Sequence, residues 1–435
     1  MSGIIIVFSV FLGLMVLRVP VAVALIIGSM AGIYLEGMDL VNVVSQSYRG
    51  IDSFTLLAVP FFLALGFLIA RTSVFERLLD LAGVLVGRFR GGLGQVNILN
   101  SMLFAGLSGS AVADTTSEGP IIIPLMRRRG YSLEYSAAIT AATSTIGLII
   151  PPSILMVVYA ATNGTSVGAL FLAGFTPGLL IGGIFLIINY LHARRHQIDI
   201  GQSHREEGAP LRSLSEIFWR ALPVMVIPVL IIGGIRSGAF TATEAGAIGF
   251  AYTFILTVFI YRDISLSQIG TFFKDTVLLY SLPMLAVAAA GPFGWMLTLL
   301  GADVMLRDLV AAMDVGPVGF LLMVAVVFMI VGTFLDGIPA IIIFAPLFAT
   351  GAMELGIHPI QLGIVICVVL AIGLITPPYG LCLLIASRLA NVPVVSVMKP
   401  IGIFILAELA VVTILAAFPD VALFIPRIFA SDLVK

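Results

Sequence analysis

Charge is scarce in this chain. Only 10% of its 435 residues are Asp, Glu, Lys or Arg, against about a quarter in a soluble domain. The formal net charge of −1 carries no message about nucleic acid, and no such partner is expected. Cysteine is nearly absent. Cys367 and Cys382 both lie in apolar helical sequence, where small core residues are expected rather than a disulfide or a metal site. The four histidines (His192, His196, His204 and His358) form no metal-ligand pattern, and the first three share one polar, solvated segment. The N-terminal stretch MSGIIIVFSVFLGLMVLRVP lacks the basic region that opens a signal peptide, and reads as a retained first helix.

What the chain has in quantity is apolar sequence. Hydrophobic residues make up 60% of it and the mean hydropathy is +1.17. Several apolar runs approach or exceed the ~20 residues that span a bilayer. The chain is therefore expected to be an all-α polytopic membrane protein, in contact with membrane lipid. Apolar segments fall at about 3–17, 20–36, 54–72, 132–162, 165–191, 221–236, 240–260, 276–300, 359–390 and 400–418. A polar stretch, 192–216, separates the two groups. Two further regions, about 93–126 and 316–350, are apolar but broken at small-residue centres, GLSGSAVADTT and VGTFLDGIPA. Each reads as a re-entrant hairpin. Broken backbone at membrane depth is tolerated only where protein or a water-filled cavity surrounds it.

The halves repeat. Pro60 is followed by Asp114 after 54 residues, and Pro283 by Asp336 after 53. Asp114 to Pro124 is ten residues, as is Asp336 to Pro346. Then come GLIIPPS (147–153) and GLITPPY (373–379). Each half reads as three spans, a hairpin, a broken span and a final span. Five crossings invert the second half relative to the first, the inverted-repeat plan of many secondary transporters. The expected divisions are a first repeat over 1–191, a cytoplasmic linker over 192–220 and a second repeat over 221–435. With the linker inside, 17 Lys and Arg fall inside and five outside (Arg49, Arg236, Arg307, Arg427 and Lys435). This positive-inside bias puts both termini outside. The first hairpin then enters from the cytoplasm and the second from the opposite face. Amphipathic stretches 73–92 and 300–316 each read equally well as ordinary surface helices, but their matched places favour interfacial arms that carry the hairpins.

The breaks carry the chemistry. Pro151–Pro152 ends a helix, because proline lacks an N–H and clashes with the preceding turn. The unwound link leaves carbonyl oxygens that suit a small hard cation. The half-helix after it offers free N–H groups and a positive dipole end that suit an anion. A plain proline kink is the weaker reading once two breaks stand at matched positions, each beside a hairpin. The first hairpin tip adds Ser108, Ser110, Thr115 and Thr116, and the approach to the first break adds Thr143, Ser144 and Thr145. These hydroxyls suit sodium, although Ser and Thr also mediate helix packing. Asp114 and Asp336 are acids in apolar hairpins, which marks them as functional candidates. Each either caps a short hairpin helix, the reading we favour, or binds an ion or proton directly. Glu244, after Thr241 and Thr243, reads as a helix cap.

The stretches SGSAVADTTSEGPIIIPLMRRRGYSLEYSAAITAATSTIGLIIPPSI, GAFTATEAGAIG, VGTFLDGIPAIIIFAPL and GLITPPYGL resemble the large membrane subunit of tripartite ATP-independent periplasmic (TRAP) transporters, the DctM type. The resemblance runs from about residue 4 to about 418. It departs at Leu148, where a proline-like position is usual, and at Glu118, where small apolar residues are usual. It implies a multi-pass subunit of the bacterial inner membrane that is not an enzyme and needs no cofactor. It implies an elevator-type importer with Na+ as coupling ion, fed by an extracytoplasmic substrate-binding protein (DctP type) beside a small four-helix membrane subunit (DctQ type). The implied substrates are organic acid anions: C4-dicarboxylates, sialic and other sugar acids, or keto acids. The implied first sodium site falls on Ser108, Gly109, Ser110, Thr145 and Gly147, and the second on Gly332, Thr333, Gly373 and Thr376. The substrate is then expected against Asp114, Thr115, Ser153, Asp336, Gly337 and Pro378.

Three other readings compete. One is a sodium-coupled anion transporter of another inverted-repeat family, acting without a binding protein. A channel is less fitting, since two pseudo-symmetric hairpins in one chain suit alternating access better than a continuous pore. An intramembrane aspartyl protease would need Asp114 and Asp336 close enough to share a proton, and VADTT and FLDGI lack the expected motifs.

Overall fold

The computed structural model describes residues 2–198, 213–313 and 315–430. Helices dominate, and no strand occurs among the described residues. The first half contains α1 (Ser2–Val16), α2 (Val21–Leu35), α3 (Val41–Ile51), α4 (Ala58–Ala70), α5 (Val74–Val86), α6 (Gly92–Ser108), α7 (Ala111–Arg128), α8 (Leu133–Thr145), α9 (Ile154–Asn163) and α10 (Val167–Arg195). The second contains α11 (Leu214–Arg236), α12 (Ala242–Ile255), α13 (Ile269–Leu299), α14 (Ala302–Met313), α15 (Pro317–Gly332), α16 (Gly337–Glu354), α17 (Pro359–Gly373), α18 (Leu381–Leu389), α19 (Val394–Ala417) and α20 (Pro419–Phe429). Six of the described helices are long and apolar enough to cross a membrane, or seven if the bent pair α3–α4 counts as one span. Residues 199–212 of the 192–220 linker lie outside the described residues.

Both hairpins and both broken helices form where the sequence places its small residues and prolines. The turn between α6 and α7 takes two residues. Gly109 ends α6 in the left-handed region, at φ 62°, where a side chain is disfavoured. Ser110 then caps α7, accepting from the Ala113 N–H. In the second hairpin Asp336 caps α16, accepting from the Gly337 N–H at 2.8 Å. Glu244 and Thr241 form a reciprocal capping box at the start of α12, as their spacing suggests.

Two short helices escape a search for long apolar runs. One is α3; the other is α20, which packs on α10 and α17. Neither has the length or uniform apolarity of a span, so the span criterion misses both. The first half also breaks where the second is continuous. Residues 41–70 turn through 67° between α3 and α4, whereas α13 runs unbroken for 31 residues. Where α3 crosses α13 the backbones touch: a Cβ on Gly291 would lie 2.7 Å from the Gln46 carbonyl oxygen. Close approach of this kind holds helices together where lipid removes the hydrophobic incentive to associate.

The hairpins interlock across the halves. Helix α18 packs on α7 and α8, and α9 packs on α16. The arms α5 and α14 lie against α6 and α16 respectively. Helices α4 and α13 form a wall beside this unit, with α12 behind α4 and with α2 and α3 behind α13.

Candidate transport site

Four helices begin at one cavity of about 390 Å³. Its lining takes Ala111, Val112 and Ala113 from α7, Ile154 and Leu155 from α9, Gly337 and Ile338 from α16, and Leu381 from α18. The far wall is apolar: Leu63 and Phe67 of α4, Leu279 and Pro283 of α13. No Lys, Arg or His lines it. Positive potential there comes from backbone N–H groups at the helix starts, the ends that favour anions. The caps differ in charge. Ser110 and Ser153 are neutral and α18 follows Gly380, whereas Asp336 already sets a carboxylate at the start of α16.

The first break lies directly under the first hairpin. Helix α8 tightens into a 3₁₀ turn over Ile146–Leu148 before unwinding. The freed carbonyls find different surroundings. Leu148 O accepts from the Ser153 hydroxyl at 2.5 Å. Ile149 O approaches Gly174 of α10 so closely that a Cβ there would lie 2.3 Å away. Pro152 O lies 2.8 Å from a Cβ built on Gly109, at the hairpin tip. Both Pro–Pro bonds of the two breaks are cis.

Asp114 closes this contact. Its Oδ1 accepts from the Ser108 hydroxyl at 2.6 Å, and its buried Oδ2 has no hydrogen-bond partner. That Oδ2 lies 2.4 Å from where a Cβ on Gly147 would stand. Gly147 is thus the space the carboxylate occupies. Ser108, Gly109, Asp114 and Gly147 are brought together, with Ser110 at the adjoining cavity edge. Thr145 points elsewhere: its hydroxyl meets Ala142 O and the carboxylate of Glu408 on α19.

The second contact is made by backbone alone. A Cβ on Gly373 would lie 2.7 Å from both the C and O atoms of Gly332. Thr333 and Thr376 turn their hydroxyls back to their own helices, onto Ile330 O at 2.7 Å and Ile372 O at 2.8 Å. Of the residues expected against substrate, Asp336 and Gly337 line the cavity. Asp114, Thr115 and Ser153 are buried behind it, and Thr115 donates to Ala111 O at 2.9 Å. Pro378 is exposed, in the turn before α18.

The structure adds Glu408, Asn97 and Thr140, buried polar residues that the reading of the breaks passed over. Glu408 is fully buried, and its Oε2 has no hydrogen-bond partner. Its signal was available, as the single acid in α19. Asn97, Thr140 and Thr143 form a buried chain between α6 and α8, at 2.8 and 3.2 Å. Neutral polar residues scattered through two helices give no such signal until the helices are packed.

A family model described as "Tripartite ATP-independent periplasmic transporter, DctM component" matches residues 8–421. The chain belongs to the DctM family. It is 39% identical over 381 residues to the C4-dicarboxylate TRAP transporter large permease protein DctM of Pseudomonas aeruginosa, covering 86% of this chain and 87% of that one. It is 34% identical over 421 residues to the sialic acid TRAP transporter large permease protein SiaM of Vibrio cholerae, covering 96% and 97%. The solved YdaH transporter of Alcanivorax borkumensis shares the fold, with a TM-score of 0.60, 16% identity and 87% coverage of each chain. Both hairpins and both breaks of this DctM-family permease lie inside the matched span, and its relatives are transporters rather than enzymes.

Proposed function

We propose that this permease is the large subunit of a sodium-coupled importer of organic acid anions, delivered by an extracytoplasmic binding protein and assisted by a small membrane subunit. The observation that carries the anion part is the meeting of four helix starts at one cavity that no basic side chain lines. A carboxylate there takes N–H groups in place of water. The neutral ends of α7 and α9, capped by Ser110 and Ser153, are the better hosts, because Asp336 already occupies the end of α16. The Leu and Phe wall on α4 and α13 accommodates the rest of the anion.

Sodium fits the hairpin–break contacts. The first offers the hydroxyls of Ser108 and Ser110 and the freed carbonyls of the link, with the Asp114 carboxylate beside them. The second offers backbone oxygens around Gly332 and Gly373, with Thr333 and Thr376. An ion bound there ties the hairpin to its broken helix and so to the helix starts that hold the anion. The interlocked hairpins and broken helices then move as one body against α4 and α13, carrying both across the membrane. The repeats run in opposite senses in this reading, with both termini outside.

The test is uptake into proteoliposomes holding the permease and its small subunit, with the cognate binding protein outside. Its substrate is identified first by thermal-shift screening of that binding protein. An inward sodium gradient should drive uptake, and omitting the binding protein should abolish it. Uptake indifferent to sodium sinks the coupling; uptake by the permease alone sinks the partner requirement.

A further inference from the structure

We propose that Glu118, between the legs of the first hairpin, is a proton-binding site, holding its proton for as long as α6 and α7 stay packed. This goes beyond the sodium reading and does not depend on it. Glu118 is 1% exposed. Its Oε2 accepts from the Ser101 hydroxyl at 2.6 Å, and its Oε1 from the Asn100 amide at 2.9 Å. Both partners are neutral. Among the described residues no Lys, Arg or His is buried, so no basic side chain in the protein interior is there to offset a charge. A carboxylate held so, away from water and cations, is costly, and a proton is the smallest thing that removes the charge.

Three observations favour the proton over a metal cation. First, the cavities beside α7 are lined by Thr116, Ser117 and Ile121, on its more open side, and not by Glu118. Second, the existing contacts survive protonation. A hydroxyl accepts as readily as it donates, so Ser101 serves an Oε2–H group, while Asn100 continues to donate to Oε1. Third, Asp114 lies one helical turn away on the same buried side of α7. Two acids so placed repel when both are charged, which favours a neutral Glu118. The other elements packed on α7 add no compensating charge nearby. Helix α8 presents Thr143, bonded to Asn97. Helix α18 presents the Cys382 thiol, which reaches Thr115 and Ser144, and carries an exposed Arg388. At the end of α4, Arg71 is already paired with Asp275 at 2.7 Å. Once the hairpin legs part and water enters, Glu118 ionises and its proton passes to water.

Infrared difference spectroscopy on the protein in lipid nanodiscs tests this without any substrate. At neutral pH the wild type should show the C=O stretch of a protonated carboxyl. That band should be lost in Glu118→Gln and retained in Asp114→Asn. Gln keeps the shape and both hydrogen-bonding partners, so the fold should survive. If it does not, Glu118→Asp should shift the band instead. The proposal is overturned if the wild-type minus Glu118→Gln spectrum contains only ionised carboxylate bands, or if the C=O band is unchanged by replacing Glu118.

Discussion

Every residue from Ile149 to Ser153 is buried, whereas in the second break Pro378 and Tyr379 are exposed, Tyr379 by 53%. The two links share the order Gly-Leu-Ile-x-Pro-Pro, so the difference lies in what surrounds them. The first is enclosed by the hairpin tip at Gly109 and by α10 at Gly174 and Gly178, close enough that added Cβ atoms would clash. The second folds back on itself instead, Leu374 O accepting from the Cys382 N–H at 3.0 Å. The hairpin acids differ in the same sense: Asp114 is sealed against Gly147, and Asp336 faces the cavity. One local device has been placed in a closed setting and in an open one. In the proposed elevator this asymmetry is useful, because alternating access needs two similar halves that are not in the same state at once.

The largest effects should come from filling the two glycine contacts, and they should differ. In Gly373→Ala the new methyl meets the Gly332 backbone at 2.7 Å, and backbone cannot rotate aside. We expect a loss of about 1–3 kcal/mol, the usual cost of overpacking, read as a lower melting temperature in detergent. In Gly147→Ala the methyl meets the Asp114 carboxylate at 2.4 Å, which a side-chain rotation relieves in part. Gly147→Ala should therefore melt nearer the wild type. Equal melting of the two variants would erase the distinction between a backbone contact and a side-chain contact.

A second pair of effects, of similar or smaller size, separates the two acids. Ser108→Ala removes the partner of Asp114 Oδ1 and leaves both carboxylate oxygens buried without a donor. That should cost about 1–3 kcal/mol. Asp336→Ala removes a helix cap from an exposed group, worth about 1 kcal/mol. Melting curves of the two variants should rank Ser108→Ala as the more damaging. The reverse order would mean that Asp336 is held by more than its cap.

How far the sequence alone led follows the same divide. Proline pairs, small-residue tips and arms are local signals. Hence the turns that join α6 to α7, α8 to α9, α15 to α16 and α17 to α18 fall at such residues. Repeat spacing even matched Asp114 to Asp336. It did not show that one is sealed and the other open, because that depends on what packs against each hairpin: Gly147 closes over Asp114, and the cavity opens beside Asp336. Thr145 illustrates the limit. Its place before the break suggested a hairpin ligand, but packing of α19 on α8 turns its hydroxyl toward Glu408. Likewise α3 and α20 are too short to register as spans, although α3 forms much of the wall behind α13.

The smallest structural perturbations probe the sodium contacts themselves. Ser110→Ala removes a neutral cap whose bond to the Ala113 N–H is long, at 3.4 Å, so about 1 kcal/mol of stability or less is at stake. Thr376→Val deletes only a hydroxyl that returns to its own helix at Ile372 O, and keeps the branched shape. Its effect on melting should be within about 0.5 kcal/mol, as for a substitution away from any special feature. Coupling should respond more strongly than stability. If each hydroxyl also faces sodium during the cycle, removing one ligand worth about 1.4 kcal/mol raises the half-saturating sodium concentration about tenfold. Ser110 edges the cavity and belongs to the sealed half, whereas Thr376 is half-buried in the open one. Uptake against sodium concentration, with all partners present, should show both shifts at near-normal protein levels. Wild-type half-saturation in both variants would make the two breaks plain kinks. A shift in Ser110→Ala alone would confine sodium to the sealed half and make the second break a hinge without an ion.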